Sequence, residues 1–320
     1  MRNRLVVIFI FLVHSFLSTA QVIDNAALYR NMLSDKSIRL HYENDYFSAS
    51  DLYYTQGINL EIIHPNLRNF ILAKLLVSLP RTTQKFGIDA EYLGYTPSSI
   101  SSDDILFGDR PFASSLMVKS FSISNDSSSG IRLNSNFSLG IIGPLAGGKE
   151  FQSLIHKWIN DEQPRGWQHQ IQNDLVINYN IGIAKSLVDF GNISVAGKVS
   201  VDLGTMKTNA RCGLIFLAGF FENPWLNFPQ SHRKIQIYMY DEPYAQITGY
   251  DATLQGGMFN RKSPYTIRAS DVTRFVFQNN SGLVMKFNNL YLEYFQTYIT
   301  KEFRTGNSHQ WGGVRVGLTL

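Results

Sequence analysis

Hydrophobic and polar positions alternate along most of this chain. Tyr54, Ile58, Leu60 and Ile62 share one parity with Gln56, while Thr55, Gly57, Asn59 and Glu61 take the other. This is the period-two signature of a strand with one greasy face and one polar face. The same split recurs in Leu133, Phe137, Leu139 and Ile141 against Asn134, Asn136, Ser138 and Gly140. It appears again in Ile193, Val195, Val199, Val201 and Leu203 against Ser194, Ala196, Lys198, Ser200 and Asp202. It also closes the chain, where Val314, Val316, Leu318 and Leu320 oppose Gly313, Arg315, Gly317 and Thr319. The pattern predicts twelve strands, near 38–45, 54–64, 85–94, 112–124, 131–142, 174–187, 192–203, 210–220, 234–248, 272–287, 290–300 and 310–320.

An even number of alternating strands, each of about ten residues, is what a closed outer-membrane barrel requires, because lipid tolerates no open sheet edge. A soluble sandwich or barrel also alternates, but it buries its apolar face against a second layer. Two features favour the membrane. Tyr and Phe crowd the strand ends (Tyr42, Tyr46, Phe47, Tyr53, Tyr54, Tyr291, Tyr294, Phe295, Tyr298, Phe303), as interfacial girdles do, and the last strand runs to the C-terminus. The fold class expected is all-β: a twelve-stranded antiparallel transmembrane β-barrel of the outer-membrane type.

With the N-terminus on the periplasmic side, the connections 46–53, 95–111, 143–173, 204–209, 249–271 and 301–309 fall outside the cell. Of the periplasmic ones, 125–130, 188–191 and 288–289 are short, as the rule of tight periplasmic turns demands. Residues 65–84 and 221–233 break that rule. The first carries Leu67, Phe70, Ile71, Leu75 and Leu76 with Arg68 and Lys74, which reads as a short interfacial helix or as a helix packed on the barrel rim.

Residues 1–20 carry an address. Arg2 and Arg4 precede an apolar run from Leu5 to Leu17, and Ser18-Thr19-Ala20 supplies small residues before Gln21. The run is about 13 residues where a spanning helix needs about 20, so the reading is a cleaved signal peptide rather than an anchor. Residues 21–320 are then one barrel domain. Composition agrees with export into a membrane: 44% hydrophobic, 13% aromatic and only 17% charged residues exclude disorder, and one Cys excludes an internal disulfide. A formal charge of +4 gives no sign of nucleic acid as a partner.

Polar constellations gather on the external side. Glu43-Asn44-Asp45 ends the first strand and Asp51 with Tyr54-Thr55-Gln56 begins the second, so oxygen donors suited to a hard cation converge on one rim. An Asn-Asp pair at a strand end is more often a turn former. In 143–173, Phe151, Leu154, Ile155, Trp158 and Ile159 repeat at helical spacing. His156 falls off that stripe, in line with Gln152 and Asn160. A lone His on a helix is more often surface than base.

These pieces also form an ordered set. Asn44-Asp45, Asp51-x-x-Tyr54-Thr55-x-Gly57 and Gly108-Asp109-Arg110-Pro111-Phe112-Ala113 come first. Gly140-Ile141-Ile142-Gly143-Pro144 follows, with Gly147-Gly148, Gln152 and His156, then Gly166-Trp167-x-x-Gln170 and Glu302-Phe303-Arg304-Thr305-Gly306. Together they resemble the lipid A 3′-O-deacylase family of outer membranes, from residue 38 to the C-terminus. No piece is specific alone; six in order are.

The resemblance implies a monomeric ester hydrolase that uses calcium to release the 3′-acyloxyacyl group of lipid A in lipopolysaccharide. By position it makes His156 the essential histidine and Asn44 and Asp45 the essential pair. Thr55 becomes the hydroxyl residue of the second strand and Glu162 the acid shortly after the histidine, with Asn44, Asp45 and Thr55 near the metal. The scheme implied is phospholipase-A2-like, with His156 activating a water. One departure stands out: residues 86–109 contain no Lys or Arg where a family member carries a basic residue. Arg110, Lys149 or Arg165 would then grip a lipid A phosphate. A second is Leu320 in place of the common terminal Phe. The alternatives are an outer-membrane phospholipase, which would need a Ser-His pair on the outer wall, and a non-enzymatic pore or adhesin.

Overall fold

The computed structural model describes residues 23–320 except 33, 49–51, 227 and 229–232. The expected signal peptide and Asp51 lie outside the described residues. Twelve strands run in chain order: β1 (Ser37–Asn44), β2 (Tyr54–Ile63), β3 (Thr83–Tyr95), β4 (Ala113–Asp126), β5 (Ile131–Ile142), β6 (Asp174–Asp189), β7 (Ile193–Gly204), β8 (Lys207–Phe220), β9 (Ile235–Asp251), β10 (Phe275–Phe287), β11 (Leu290–Ile299) and β12 (His309–Thr319). Each pairs antiparallel with its neighbours in sequence, and β1 pairs with β12 to close the barrel. No edge remains, so every strand can sit in hydrocarbon with its backbone satisfied.

The alternation places apolar side chains outward. Leu40, Leu60, Ile62, Leu116, Val118, Val199, Leu203, Val316 and Leu318 are all exposed on the wall. The inner face is polar and paired. Arg39 meets Glu61 at 2.7 Å, Arg211 meets Asp202 at 2.5 Å, and Lys198 bridges Asp24 at 2.5 Å and Glu242 at 2.6 Å. The segment 23–32 enters the lumen, where Arg30 pairs with Glu293 at 2.8 Å and Tyr29 stacks on Tyr240 with ring centroids 3.7 Å apart. Burial alone would raise the Asp24 carboxyl, but the Lys198 ammonium beside it holds it well below the ordinary carboxylate range. Trp225 and Phe228, from the long β8–β9 connection, lie under the Arg132 guanidinium and help close the same end. Between this plug and the extracellular loops remains a cavity lined by Asn134, Asn136, Asn178 and Asn180 among others.

Three expectations need correction. The external loop 204–209 shrinks to residues 205–206, because β7 and β8 run on into it. The segment 65–84 is no regular helix: it makes two 3-10 turns, Pro65–Asn69 and Ile71–Leu75, and lies on the outer wall. The aromatic girdle is only half a girdle. Tyr294 and Tyr298 do face outward, but Tyr53, Tyr54, Tyr291, Phe295 and Phe303 are at most 3% exposed and fill the interior. For Tyr54 the reason is a bulge: the β2–β3 register shifts between Tyr54 and Gln56, which turns Tyr54 inward to the Glu43 carboxylate.

Candidate active site

Asn44 continues the outward parity of Leu40 and Tyr42, opposite Gln56 on β2 and Gly312 on β12. Its side-chain oxygen accepts the Tyr46 backbone N–H at 2.7 Å, so the residue does form a turn. Asp45 opens the 3-10 turn Asp45–Ser48 and is buried. The bulge beside Tyr54 leaves Thr55 buried at the top of the wall, and Tyr42 and Tyr92 flank the patch.

Over this patch lies helix α1 (Gly148–Ile159), which starts after Gly147 at φ 75° and stops at Asn160 at φ 56°. Its seat is close. A Cβ on Gly148 would stand 2.6 Å from Ser114 Oγ and 2.6 Å from the Trp167 ring, so glycine is required for the approach. Phe151 packs against Tyr92 with centroids 5.1 Å apart.

The helix is turned opposite to one on a soluble protein. Its polar face meets the barrel, with Gln152 fully buried, while Leu154, Trp158 and Ile159 are 64%, 86% and 52% exposed. Such an orientation suits a surrounding of lipid rather than water.

Gln152 links the helix to the wall. The buried Trp167 indole can only donate, and it donates to Gln152 Oε1 at 2.7 Å. That fixes the carboxamide so that Nε2 donates to Thr55 Oγ at 3.4 Å. One turn further on the same face, the His156 side chain is 13% exposed. Its Nδ1 lies 2.6 Å from the Glu162 backbone carbonyl, which can only accept, so Nδ1 donates. In the neutral ring Nε2 is then the basic nitrogen.

The expected residues are thus placed as follows. Thr55 and Gln152 meet, as do His156 and Glu162, though Glu162 contributes its carbonyl while its residue is otherwise exposed. The β1–β2 register sets Asn44 opposite Gln56, the neighbour of Thr55, and Asp45 follows Asn44 into its 3-10 turn. The trio offers one carboxylate, one carboxamide and one hydroxyl. Among the described residues no three of His, Cys, Asp and Glu gather into a metal-binding group. These donors are the hard oxygens calcium takes, and carbonyls, water or substrate would complete its shell.

Arg110 does not face solvent, contrary to a phosphate-gripping role. It is 1% exposed, paired with Glu302, bonded to Thr253 Oγ at 2.7 Å and stacked over Tyr95 at 4.5 Å. The Gly108–Phe112 and Glu302–Gly306 pieces therefore tie the loops to one another above the lumen; Thr305 also donates to the Gly108 carbonyl. Lys149 and Arg165 are exposed, the latter 3.8 Å from Asp103. Sequence reasoning gave Gln152 and Trp167 no role, although the spacing of Gln152 four residues before His156 already put both on one helix face.

Comparison with known proteins bears on the family and the fold. The sequence profile of the family described as outer membrane protein LpxR matches residues 5–320. The solved structure of LpxR from Salmonella typhimurium superposes with a TM-score of 0.73 at 19% identity, covering 89% of this chain and 100% of that one; at that identity the likeness shows the fold. The β domain of the Bordetella autotransporter BrkA superposes at a TM-score of 0.48 with 9% identity, over 89% of this chain and 99% of that one. A search of curated protein sequences returns no match.

Proposed function

This chain belongs to the LpxR family of outer-membrane proteins, and from that premise we propose that it is a calcium-dependent lipid A 3′-O-deacylase acting as a monomer on the outer leaflet. One observation supports the reading: α1 buries Gln152 against the wall, where it bonds Thr55, with His156 one turn further on the same face, and turns Leu154, Trp158 and Ile159 outward. Water, ester and acyl chains can meet there. In a soluble helix the arrangement would be reversed.

His156 acts as general base. The Glu162 carbonyl holds Nδ1–H, which leaves Nε2 to take a proton from water as the water oxygen adds to the ester carbonyl. The same nitrogen returns the proton to the departing 3-oxygen of the sugar, so the acyloxyacyl group leaves as a carboxylic acid. Asn44, Asp45 and Thr55 would hold calcium, which supplies positive charge for the developing oxyanion. Thr55 accepts from Gln152 through one lone pair, which leaves the other for the cation. Lys149 and Arg165 are the cations left to meet lipid A phosphates.

Neither rival gains a comparable observation. The described partners of the His156 ring are the Glu162 carbonyl and the Asp161 carboxylate at 3.9 Å, not a serine. Among the described residues the lumen holds the segment 23–32, tied to the wall by the Arg30–Glu293 and Asp24–Lys198 ion pairs. The test is mass spectrometry of lipid A from cells with and without the protein. Loss of the 3′-acyloxyacyl mass in its presence is expected; unchanged lipid A beside a well-folded barrel ends the reading.

A further inference from the structure

The other long connection on the wall, residues 64–82, lies at the end opposite the extracellular loops. It covers an unusual stretch of outer surface. On β4, Ser120, Ser122 and Ser124 share the outward parity of Leu116 and Val118, yet they are at most 2% exposed. On β5, Ser135 shares the parity of Leu139 and is fully buried. On β6, Tyr179 shares the parity of Leu175 and Ile183.

These hydroxyls hold the backbone of the strap. Ser135 donates to the Val77 carbonyl at 2.8 Å, the Leu79 N–H donates to Ser124 at 3.0 Å, and the Val77 N–H donates to Tyr179 Oη at 3.1 Å. The Tyr179 hydroxyl in turn donates to the Leu75 carbonyl at 3.0 Å. Irregular backbone thereby lies against a membrane-facing wall with its polar groups satisfied.

The outer face of the strap is composed for a lipid surface. Ile71, Leu75 and Val77 are 71%, 52% and 47% exposed. Arg68, Lys74 and Arg81 are exposed beside them, and no acid occurs from residue 62 to residue 88. Among the described residues none of the three enters a salt bridge with a carboxylate. Arg81 occupies φ 57°, a backbone position Gly or Asn takes at lower cost, so the turn itself does not call for arginine. Other turns at this end differ: 125–130 carries Asp126, 188–191 carries Asp189, and 288–289 is two asparagines.

We propose that the strap is a binding site for anionic phospholipid of the periplasmic leaflet, with Arg68, Lys74 and Arg81 on the headgroup phosphates and Ile71, Leu75 and Val77 along the chains. Cations at a charged membrane surface attract anionic lipid, roughly fivefold in affinity for each. The barrel thus meets different lipids on its two rims.

The experiment measures lipid retained by the purified full-length barrel after reconstitution into mixed phosphatidylglycerol and phosphatidylcholine vesicles and re-extraction into detergent. The wild type is compared with the triple variant Arg68→Gln, Lys74→Gln, Arg81→Gln. A control triple removes exposed cations of the extracellular loops: Lys262→Gln, Arg268→Gln, Lys301→Gln. Heat-modifiable migration confirms folding of each. The strap triple is expected to lose preferential phosphatidylglycerol retention at least tenfold while the control keeps it, and inorganic phosphate at millimolar level is expected not to displace the lipid. Equal retention in wild type and strap triple overturns the proposal, as does an equal loss in the control. Displacement by inorganic phosphate alone would make the strap a bare anion site and overturn it too.

Discussion

Two segments lie on the outer wall of this barrel, and they are fastened in different ways. The strap over β4–β6 satisfies the wall's hydroxyls with its own backbone: Ser135, Ser124 and Tyr179 each meet a carbonyl or an N–H. Helix α1 over β2–β4 keeps its backbone bonds to itself and reaches the wall through side chains, chiefly Gln152, Phe151 and the bare face of Gly148. A helix satisfies its own N–H and C=O groups, so its side chains are released for other work. Backbone-to-wall bonding makes the strap part of the barrel; side-chain contact fastens α1 at a few points only.

The contrast can be broken most forcefully at His156. His156→Ala should fold normally and lose about 10²–10⁴-fold in lipid A deacylation, read by release of fatty acid from lipid A in detergent. If the residue were only surface, activity would stay near wild type. Asp45→Ala should lower activity and raise the calcium concentration for half-maximal rate, since one carboxylate fewer weakens a hard-cation site, and a chelator should silence the wild type reversibly.

Lifting α1 should separate activity from stability. Gly148→Ala puts a Cβ against Ser114 and Trp167, so a fall in rate of about tenfold is expected from a shift of the site by a fraction of an ångström. The melting temperature of the barrel should hardly move. Beneath the strap the expectation is the mirror image. Ser135→Ala strips the Val77 carbonyl of a buried donor and should cost about 1–3 kcal/mol in urea unfolding, with deacylation unchanged. A loss of activity there would mean the two segments are coupled.

The smallest effect belongs to the lumen. Lys198 holds the Asp24 carboxyl below its ordinary range, so the pair stabilises the fold above the unfolded carboxylate pKa near 4. That contribution is lost as pH falls through the lower folded value. Asp24→Asn should therefore be the less stable protein at pH 7, and the difference from wild type should fade toward pH 2. A difference independent of pH would assign it to packing.

Much of the barrel was legible because lipid enforces a simple rule on each strand: alternate residues must be apolar. The strand ends fall within three residues of where that alternation stops, as in β5, Ile131–Ile142, which it delimits at both ends. The rule failed where local geometry breaks the period. Tyr54 carries the outward parity of Ile58 in sequence, but one bulged residue turns it into the lumen. Ser122 and Ser135 read as polar interruptions of a lipid face, and only the strap explains them.

At the candidate site, residue order alone dictated which residue types were at hand: an Asn-Asp pair at a strand end, a hydroxyl at the next strand start, and a histidine off the apolar stripe of a helix. It also determined that Gln152 and His156 share a face, since 3.6 residues per turn requires it. Which way that face points was set by packing against the barrel. Periodicity gives the angle between two side chains on one helix, whereas the direction of the stripe depends on what surrounds it. Here Thr55 of the wall and the buried Trp167 are the partners of Gln152, so Leu154, Trp158 and Ile159 turn outward. The fate of Arg110 was decided in the same way. An arginine in a glycine-rich external loop suits phosphate as well as carboxylate, and it was Glu302, 192 residues away along the chain, that claimed it.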